Sequence, residues 1–361
     1  MNPHAGHCVY CAAPRGGAFF GFATLRELGA ARRKNYHLQR GAAILMAMLT
    51  VTLVASLAAA ALWQQWRSVE VEAAQRARVQ SSWILVGALD WARLILSEDK
   101  RSGGPDHLAE PWAVPLEEAR LATFFATESN AAEQAADIQQ SFISGQITDM
   151  QSRLNLTNLI AGGKPSESDV RQFAKLFELL GLPDTELERM VEGLRFALDT
   201  STDNRSGSRA PLVPQRVEQL VWIGLSPQSA AAVAPFVVIL PMRTKINLNT
   251  APTEVVYASI DTLDLAGARQ FVTARATGQM RTVGDAKKRL GSRGEEVSDE
   301  KFGVTSSFFE VRGHLRLDQS MVLERSLVQR TDTEVKTLWR ERFAAQVEAD
   351  RAGQSPSLQL P

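Results

Sequence analysis

An uninterrupted apolar run near the N-terminus constrains this chain more than any other feature. No Asp, Glu, Lys or Arg occurs from Gly41 through Trp66, a stretch of 26 residues that contains "AAILMAMLTVTLVASLAAAALW". A helix needs about 20 apolar residues to cross a membrane, whereas the apolar part of a cleaved secretory signal has about 7 to 15. The run is therefore long enough for an anchor, and we expect a transmembrane helix over residues 42–63.

Basic residues flank this run on its N-terminal side, namely Arg32, Arg33, Lys34 and Arg40. Because positive residues beside a first span stay in the cytoplasm, we expect the chain after the span to be exported. Residues 1–41 contain six Lys or Arg and one Glu, a formal charge of +5, and the remainder carries −5 because the whole chain is neutral. An acidic exported portion is a poor match for nucleic acid, whose phosphates attract basic surfaces.

The exported portion lacks the residue sets on which most hydrolytic and redox enzymes depend. Both cysteines, Cys8 and Cys11, precede the apolar run, and only His107 and His314 follow it. The sequence contains no G-x-S-x-G, H-E-x-x-H or Walker A motif, which would supply a nucleophile, a zinc site or a phosphate loop. The sequence therefore favours a protein that is not an enzyme.

Two stretches contain residues of metal-ligand type. "HAGHCVYC" at the N-terminus has the residue types of a zinc site, but ligands packed so closely form a loose chelate, and we favour no metal there. Asp199 and Asp203 in "LDTSTDNRSG" offer the hard oxygens that calcium prefers. Since the spacing is not that of an EF-hand and no Glu closes the loop, a solvated loop is the favoured interpretation.

The pattern after the anchor changes from helical to strand-like along the chain. One helix is predicted from the membrane to about Glu98, because the first Pro after Ala42 is Pro105. Trp112 is predicted to pack the following loop onto the core. "LATFFATES" and "SFISGQITDMQSRLNL" suggest extended segments, and helical patterns fill most of residues 166–290. "SSFFEVRGHLRL" and "SMVLERSLVQRTDTEVKTLWRERF" alternate apolar and polar residues, which predicts two or three antiparallel strands.

A short internal repeat occurs at "RLNLTNL" and "KINLNTA". Each copy has a basic residue, a strand-like apolar pair and two asparagines, which are Asn155 and Asn158 in the first copy and Asn247 and Asn249 in the second. Asn side chains close Asx-turns and cap helix starts. Each copy is therefore predicted to mark a strand that passes into a helical region, and the geometry alone implies no ligand.

The second copy opens a segment with the outline of a helix-hairpin-helix, "INLNTAPTEVVYASIDTLDLAGARQFVTAR". Such hairpins often bind the DNA backbone through the amides of two glycines. Here the hairpin contains Gly267 without a Gly-x-Gly, and a packing role within the protein is preferred to DNA binding.

The order of these features resembles the minor pseudopilin K family of the type II secretion system. The features are a basic leader ending at Gly41, the apolar helix, "EPW" at 110–112, "RLNLTNL", two helical regions with "INLNTAP" between them, and a strand-rich end. The likeness covers nearly the whole chain after residue 35. No single motif is decisive, whereas their order is specific.

The resemblance implies an α+β, pilin-like fold, in which a long N-terminal helix packs on an antiparallel sheet. A large all-helical domain with helix-hairpin-helix or SAM-like subdomains is inserted in the sheet region. The implied segments are a removed cytoplasmic leader (1–41), a membrane helix (42–63), the rest of the helix with the first strands (64–155), the insert (156–302, divided into 156–244 and 245–302), the closing strands (303–345) and a flexible tail (346–361).

The resemblance also implies how the chain matures. Family members are cleaved by a prepilin peptidase directly after the leader Gly, which is Gly41 here, and the new N-terminus, Ala42, is methylated. Mature pilins mostly carry Glu at the fifth residue, whereas this chain has Met46. The pilin Glu pairs with the amine of a neighbouring subunit, and an unpaired carboxylate in hydrocarbon would be costly. Pseudopilin K typically lacks this Glu and is placed at the filament tip.

The implied function is structural, with no catalysis. The family forms a complex with minor pseudopilins I and J and starts assembly of the pseudopilus, which pushes folded proteins through the outer-membrane secretin. Other pseudopilins, the inner-membrane assembly platform and the prepilin peptidase are further expected partners. The chain would be a single-pass protein of the inner membrane with its C-terminal domain in the periplasm.

Two points stay open at this stage. Some family members bind calcium, but acidic residues are sparse here, with only Asp199 and Asp203 in the corresponding stretch. The alternative function is a DNA-uptake or competence pilus component that holds DNA through its helix-hairpin-helix. The preferred hypothesis expects no nucleic acid partner.

Overall fold

The computed structural model describes residues 40–121, 141–199, 210–317 and 320–346. It divides into two compact units, one ending at Glu70 and the other beginning at Val71. Helix α1 (Arg40–Ser102) contributes to both units. We describe each unit by itself.

The first unit is described from Arg40 onward, where it is helical throughout. Every side chain described from Ala42 to Glu70 is exposed, including the large apolar ones such as Leu45, Leu53 and Trp63. This is the one segment in the described part of the chain that is long and apolar enough to cross a membrane. The predicted membrane helix over 42–63 is thus a helix with an apolar surface on all sides.

In the second unit, α1 packs one face against a sheet. Leu85, Leu89, Ala92 and Leu96 recur at helical spacing and are all buried. Gly103 and Gly104 follow the last residue of the helix and have φ of 71° and 123°. These positive values suit glycine, so the two residues allow the chain to turn back towards the sheet.

Among the described residues the sheet has five strands, and each neighbouring pair is antiparallel. The strands lie in the order in which they follow one another in the sequence. They are β1 (Leu116–Arg120), β2 (Ser141–Asp149), β9 (Phe308–Leu317), β10 (Ser320–Arg330) and β11 (Val335–Gln346). The structure therefore contains three closing strands where the alternating pattern predicts two or three.

A domain of helices and short strand pairs lies between β2 and β9. Its helices are α2 (Glu167–Leu180), α3 (Asp184–Leu198), α4 (Pro227–Val233), α5 (Thr253–Ser259), α6 (Leu265–Ala276) and α7 (Val283–Leu290). Its strands are β3 (Leu154–Asn155), β4 (Ile160–Ala161), β5 (Lys164–Pro165), β6 (Val237–Val238), β7 (Ile246–Asn247) and β8 (Phe302–Gly303). Single turns of 3-10 helix occur at Met150–Ser152 and Leu156–Leu159, and a longer one at Val217–Ile223.

Two parallel strand pairs divide this inserted domain into two parts. Strand β3 pairs with β6 around the first group of helices, and β7 pairs with β8 around the second group. The sequence predicts an insert over 156–302. In the structure, β3 pairs with β6, and the five-stranded sheet is interrupted directly after Asp149.

Separate apolar clusters stabilise the second unit. One cluster fills both parts of the insert, with Phe173, Phe177 and Phe302 among its largest buried members. A second lies between α1 and the sheet. A third joins the insert to the sheet through Met150, Val238, Leu240, Phe308 and Leu327. The insert and the sheet therefore share buried apolar contacts.

Four predictions differ from the structure or fall wholly or mostly outside the described residues. "QRVEQLVWIGL" is predicted to be helical, and its core, Val217–Ile223, forms a 3-10 helix that ends at Gly224. Most of "LATFFATES" lies outside the described residues, since they stop at Leu121 and resume at Ser141. The leader up to residue 39 and the tail from residue 347 also lie outside them.

Candidate assembly site and the joint of the insert

The predicted cleavage site lies at the N-terminal end of α1. Gly41 and Ala42 are in the first turn of the helix, which begins at Arg40. Met46 lies one turn further along and is 63% exposed, between similarly exposed apolar neighbours. A carboxylate at this position would face the apolar surroundings of the helix and would need a partner from another subunit.

Trp112 attaches the loop after α1 to the core. Its side chain is 1% exposed, and its ring meets Phe309 of β9 edge-on with centroids 5.1 Å apart. The indole nitrogen donates a hydrogen bond to Glu110 Oε2 at 2.7 Å, so the polar atom of the buried ring is satisfied. Trp112 therefore has a structural role in the described part of the chain.

The first asparagine of each repeat forms the same local turn. Asn155 Oδ1 accepts a hydrogen bond from the amide of Thr157, and Asn247 Oδ1 accepts one from the amide of Asn249. Each asparagine ends a two-residue strand, β3 or β7, that opens one part of the insert. These are the Asx-turns expected from the repeat.

The second asparagine of each repeat binds a distant backbone segment through both amide atoms. Asn158 accepts from the amide of Thr244 and donates to its carbonyl, at 3.0 and 2.8 Å. Asn249 makes the same pair of bonds with Met280, both at 2.9 Å. In each part of the insert, the asparagine side chain thus satisfies the same two backbone groups that a neighbouring strand would satisfy. The local sequence pattern does not predict this role.

The insert meets the sheet at a buried polar cluster that we call the joint. The joint consists of Asp106, Asp149, Asn247, Thr250, Ser306 and Arg330, each of which is at most 6% exposed. These residues come from the loop after α1, the end of β2, the start of the second part of the insert, the segment before β9 and the end of β10. The joint therefore connects the major elements of the second unit.

Asp149 is the centre of the joint. Its Oδ2 accepts hydrogen bonds from Ser306 Oγ at 2.6 Å, Thr250 Oγ1 at 2.5 Å and Asn247 Nδ2 at 3.0 Å. Its Oδ1 accepts from the amide of Gln151 at 2.7 Å. Burial raises the pKa of Asp149 to about 6, although the hydrogen bonds from Ser306, Thr250 and the Gln151 amide act in the opposite direction.

Asp106 differs from Asp149 because it has a cationic partner. Arg330 binds both carboxylate oxygens of Asp106 through Nη2 and also binds Asp99 at the end of α1. The amide of Ser306 donates to Asp106 Oδ2. Burial raises the pKa of Asp106, while the charge of Arg330 acts to lower it. The guanidinium also lies 4.6 Å from the centre of the Phe309 ring.

The acidic groups beside Arg330 come close enough together to suggest a cation site. Asp99, Asp106 and Glu110 each bring one carboxylate oxygen within 4.8 Å of the others. Arg330 already supplies positive charge to Asp99 and Asp106, and Glu110 accepts from Trp112 and from the amide of His107. We therefore assign this cluster a structural role.

The sequence gives little indication of Asp106 and Arg330. Asp106 follows a helix-breaking "GGP", which predicts a loop but not burial, and Arg330 occupies the end of an alternating strand, where a solvated charge is the usual expectation. The two residues are 224 positions apart, so only their pairing in the fold reveals the cluster.

The outward side of α1 in the second unit carries an exposed stripe that we call the assembly face. Trp83, Gly87, Trp91 and Leu94 recur at intervals of about one helical turn, and the two indoles are 71% and 51% exposed. A Cβ added at Gly87 would meet no atom within 4 Å. The glycine thus leaves a notch between two large rings, and the packing of the chain itself does not require it.

A cavity of about 230 Å³ lies between α1 and the sheet, beside the assembly face. Its lining is mostly apolar, with Leu89, Ile147 and Val311 among the buried residues and Trp91 and Val114 among the exposed ones. Exposed apolar side chains at the opening of an apolar cavity are typical of protein contact surfaces.

The hairpin that suggested DNA binding is occupied by groups of the chain itself. The amide of Gly267 donates to Asp264 Oδ1 at 2.8 Å and so caps α6. A Cβ at Gly267 would lie 2.7 Å from Arg293 Nη1, and Arg293 also forms an ion pair with Asp264. A phosphate approaching this amide would meet a carboxylate, which argues against the DNA-binding alternative.

One of the two predicted calcium ligands lies within the described residues. Asp199 is exposed directly after α3. Asp203 lies outside the described residues.

Comparison with known proteins gives consistent matches. Two family models described as "Type II secretion system (T2SS), protein K" match residues 152–242 and 246–305. The boundary between the matches lies between β6 and β7, where the structure divides the insert. The family models thus follow the two parts that the strand pairs define.

Longer matches extend the likeness beyond the insert. The type II secretion system protein K of Pseudomonas aeruginosa is 24% identical over 326 residues, which cover 84% of this chain and 92% of that protein. The structure is similar in fold to a chain in the GspK-GspI-GspJ complex of enterotoxigenic Escherichia coli, with a TM-score of 0.55 and 18% identity over 75% of this chain and 99% of that chain. From these matches and the two-part insert, we conclude that the chain is similar to type II secretion system protein K along most of its length.

Proposed function

We propose that this minor pseudopilin caps the tip of the pseudopilus and initiates its assembly for the export of folded proteins through the outer membrane. Met46 is the observation that carries the tip position, because it occupies the site of the Glu that pilins pair with a neighbouring subunit. A subunit without that carboxylate cannot make the pairing within the filament. A subunit at the tip does not need to pair a carboxylate at this position with the N-terminal amine of a neighbouring subunit.

Minor pseudopilins I and J are the proposed partners. The similar solved structure is a complex of GspK with GspI and GspJ. The assembly face supports a helical partner, because Trp83 and Trp91 expose large apolar rings and Gly87 leaves room for close approach. Other pseudopilins, the inner-membrane assembly platform and the prepilin peptidase are further proposed partners.

The proposed location is the inner membrane, with the second unit in the periplasm. The apolar segment of α1 supports a single-pass anchor, and the basic residues before it support a cytoplasmic N-terminus. Cleavage before the apolar segment would leave the anchor attached to the mature protein.

Cleavage by a prepilin peptidase is tested by intact-mass analysis of the chain expressed with and without that enzyme. A species beginning at Ala42 is expected only when the peptidase is present. An uncleaved chain in both samples, or cleavage after an Ala-x-Ala within residues 55–61, would contradict membership of the pilin maturation pathway.

The tip position is tested by counting subunits in isolated pseudopili. A cap is expected in about one copy per filament, whatever the filament length. A copy number that rises in proportion to filament length would contradict capping even if cleavage occurs as proposed.

Calcium binding at Asp199 and Asp203 is a separate proposal. It is tested by calorimetric titration of the calcium-free protein and of Asp199→Asn. Loss of a binding event in the variant would support the site, and identical titrations would exclude Asp199 as a ligand.

A further inference from the structure

Asp149 differs from Asp106, the other buried acid of the joint, because only hydrogen bonds contact its carboxylate directly in the described part of the chain. Ser306, Thr250, Asn247 and the amide of Gln151 donate to it, and no salt bridge joins it to a basic residue in the described part of the chain. Asp106, by contrast, is bound by Arg330. The joint therefore contains one compensated and one uncompensated carboxyl.

The charges around Asp149 favour its neutral form. Asp106, in the loop after α1, raises the pKa of Asp149 by repulsion, and Arg330 of β10 is engaged by Asp106 and Asp99. Arg153, after the 3-10 turn at Met150–Ser152, attracts Asp149 and so acts in the opposite direction, while burial lowers the pKa of Arg153 itself. The effect of burial on Asp149 exceeds that of its hydrogen bonds.

The hydrogen bonds around Asp149 can adjust to its protonation by rotation of a hydroxyl, without movement of heavy atoms. Thr250 Oγ1 lies 2.5 Å from Asp149 Oδ2 and 3.4 Å from the carbonyl of Asn247, which is a second acceptor for its proton. If Asp149 is protonated, it can donate to Thr250 Oγ1 while the hydroxyl turns towards Asn247. A hydroxyl serves as donor and acceptor, so the same geometry fits both states.

We propose that Asp149 makes the joint a proton-sensitive connection, which holds the insert to the sheet more firmly when the carboxyl is protonated in mildly acidic surroundings than when it is ionised. This inference concerns the fold of the second unit and does not rest on the proposed position in the pseudopilus.

The direction of the pH effect follows from the pKa of Asp149. This pKa rises to about 6 in the folded chain, while an unfolded Asp has about 3.9. Between these values the folded state binds the additional proton, so stability falls as pH rises. The difference between the folded and unfolded pKa values corresponds to a change of about 100-fold in the unfolding equilibrium constant. The whole change has occurred once the pH exceeds the folded pKa.

The test compares the wild-type chain with Asp149→Asn, which keeps the side-chain shape and removes the titration. Hydrogen exchange of amides near the joint is measured on the detergent-solubilised full chain between pH 4.5 and 7.5, after correction for the intrinsic pH dependence of exchange. The wild type is expected to lose protection at the joint as pH rises, by about 30-fold over this range, because most of the change between the unfolded and folded pKa values lies above pH 4.5. Asp149→Asn is expected to lose this pH dependence.

Asp169→Asn is the matched control, because Asp169 is also a buried acid but pairs with Arg243 within the insert. It is expected to keep the wild-type pH dependence at the joint. If Asp149→Asn does not fold, Thr250→Val provides a second variant, since removal of a hydrogen-bond partner of Asp149 should shift the pH of the transition. Thr250→Ser should leave it in place.

Two outcomes would overturn the proposal. One is a wild-type protection that does not change at the joint across this pH range. The other is a pH dependence that survives unchanged in Asp149→Asn or in Thr250→Val, because the titrating group would then lie elsewhere.

Discussion

Asn247 donates from its Nδ2 to Asp149 Oδ2 at 3.0 Å, although 98 residues separate them along the chain. The same nitrogen lies 3.0 Å from Ser306 Oγ and 3.2 Å from the carbonyl of Asp106. Its Oδ1 meanwhile closes the turn at Asn249. One asparagine therefore forms the local turn at the start of a subdomain and attaches that subdomain to the sheet.

Asn247→Ala is expected to destabilise the second unit by about 2–4 kcal/mol, because it leaves several buried polar groups short of a partner. The measurement is thermal unfolding of the detergent-solubilised chain followed by tryptophan fluorescence. Asn158→Ala is a useful comparison. Because Asn158 is only partly buried, its substitution should reduce the stability by less. Equal stability of Asn247→Ala and wild type would contradict the importance of the joint.

Arg330→Met is expected to cost about 3–5 kcal/mol, because Asp106 would remain buried without its cation. Adding Asp106→Asn should recover part of the loss by removing the stranded charge. Unfolding of the two single variants and the double variant gives the coupling energy between the residues. Strictly additive effects would show that the pair contributes no interaction of its own.

Met46→Glu places a carboxylate on the exposed apolar surface of α1. We expect it to weaken membrane insertion by roughly 2–3 kcal/mol, whereas Met46→Leu should insert as the wild type does. The measurement is the membrane-bound fraction in a glycosylation-based insertion assay. If the glutamate variant inserts normally and enters the filament shaft in many copies, Met46 would be the residue that restricts this subunit to the tip.

Gly87→Ala is expected to stabilise the free protein by about 0.5–1 kcal/mol, because alanine favours the helix and its Cβ meets no neighbouring atom. The same change should weaken co-purification with pilin-like partners if a helix packs into the notch. Ala88→Gly, on the partly buried neighbouring position, should destabilise the chain instead. Stabilisation without any loss of partner binding would show that the notch is not used in assembly.

The sequence predicts those parts of the fold that local pattern determines. The length of the apolar run predicts α1, strict alternation predicts β9 to β11, and the paired asparagines predict the turns at Asn155 and Asn247. Each of these patterns depends on residues a few positions apart, so they can be detected without the tertiary structure.

The features that the sequence does not predict depend on long-range pairing. Asn158 and Asn249 form hydrogen bonds with backbone segments that follow them by 86 and 31 residues. No local sequence pattern identifies those partners. Strand β3 is too short to reveal from its own residues that it pairs with β6 instead of the main sheet. The joint is hidden for the same reason, since its charges resemble ordinary surface charges until the fold buries them.

The pairing of β2 with β9 has a consequence for how such a chain is constructed. Asp149 and Phe309 are register partners in adjacent antiparallel strands, so the two ends of the inserted domain lie side by side. The host sheet is thus a simple meander, and residues 150–307 occupy the place of a hairpin turn. A short turn could in principle close the same two strands, which makes the whole helical domain a module that a pilin-like scaffold can carry without any change in strand order.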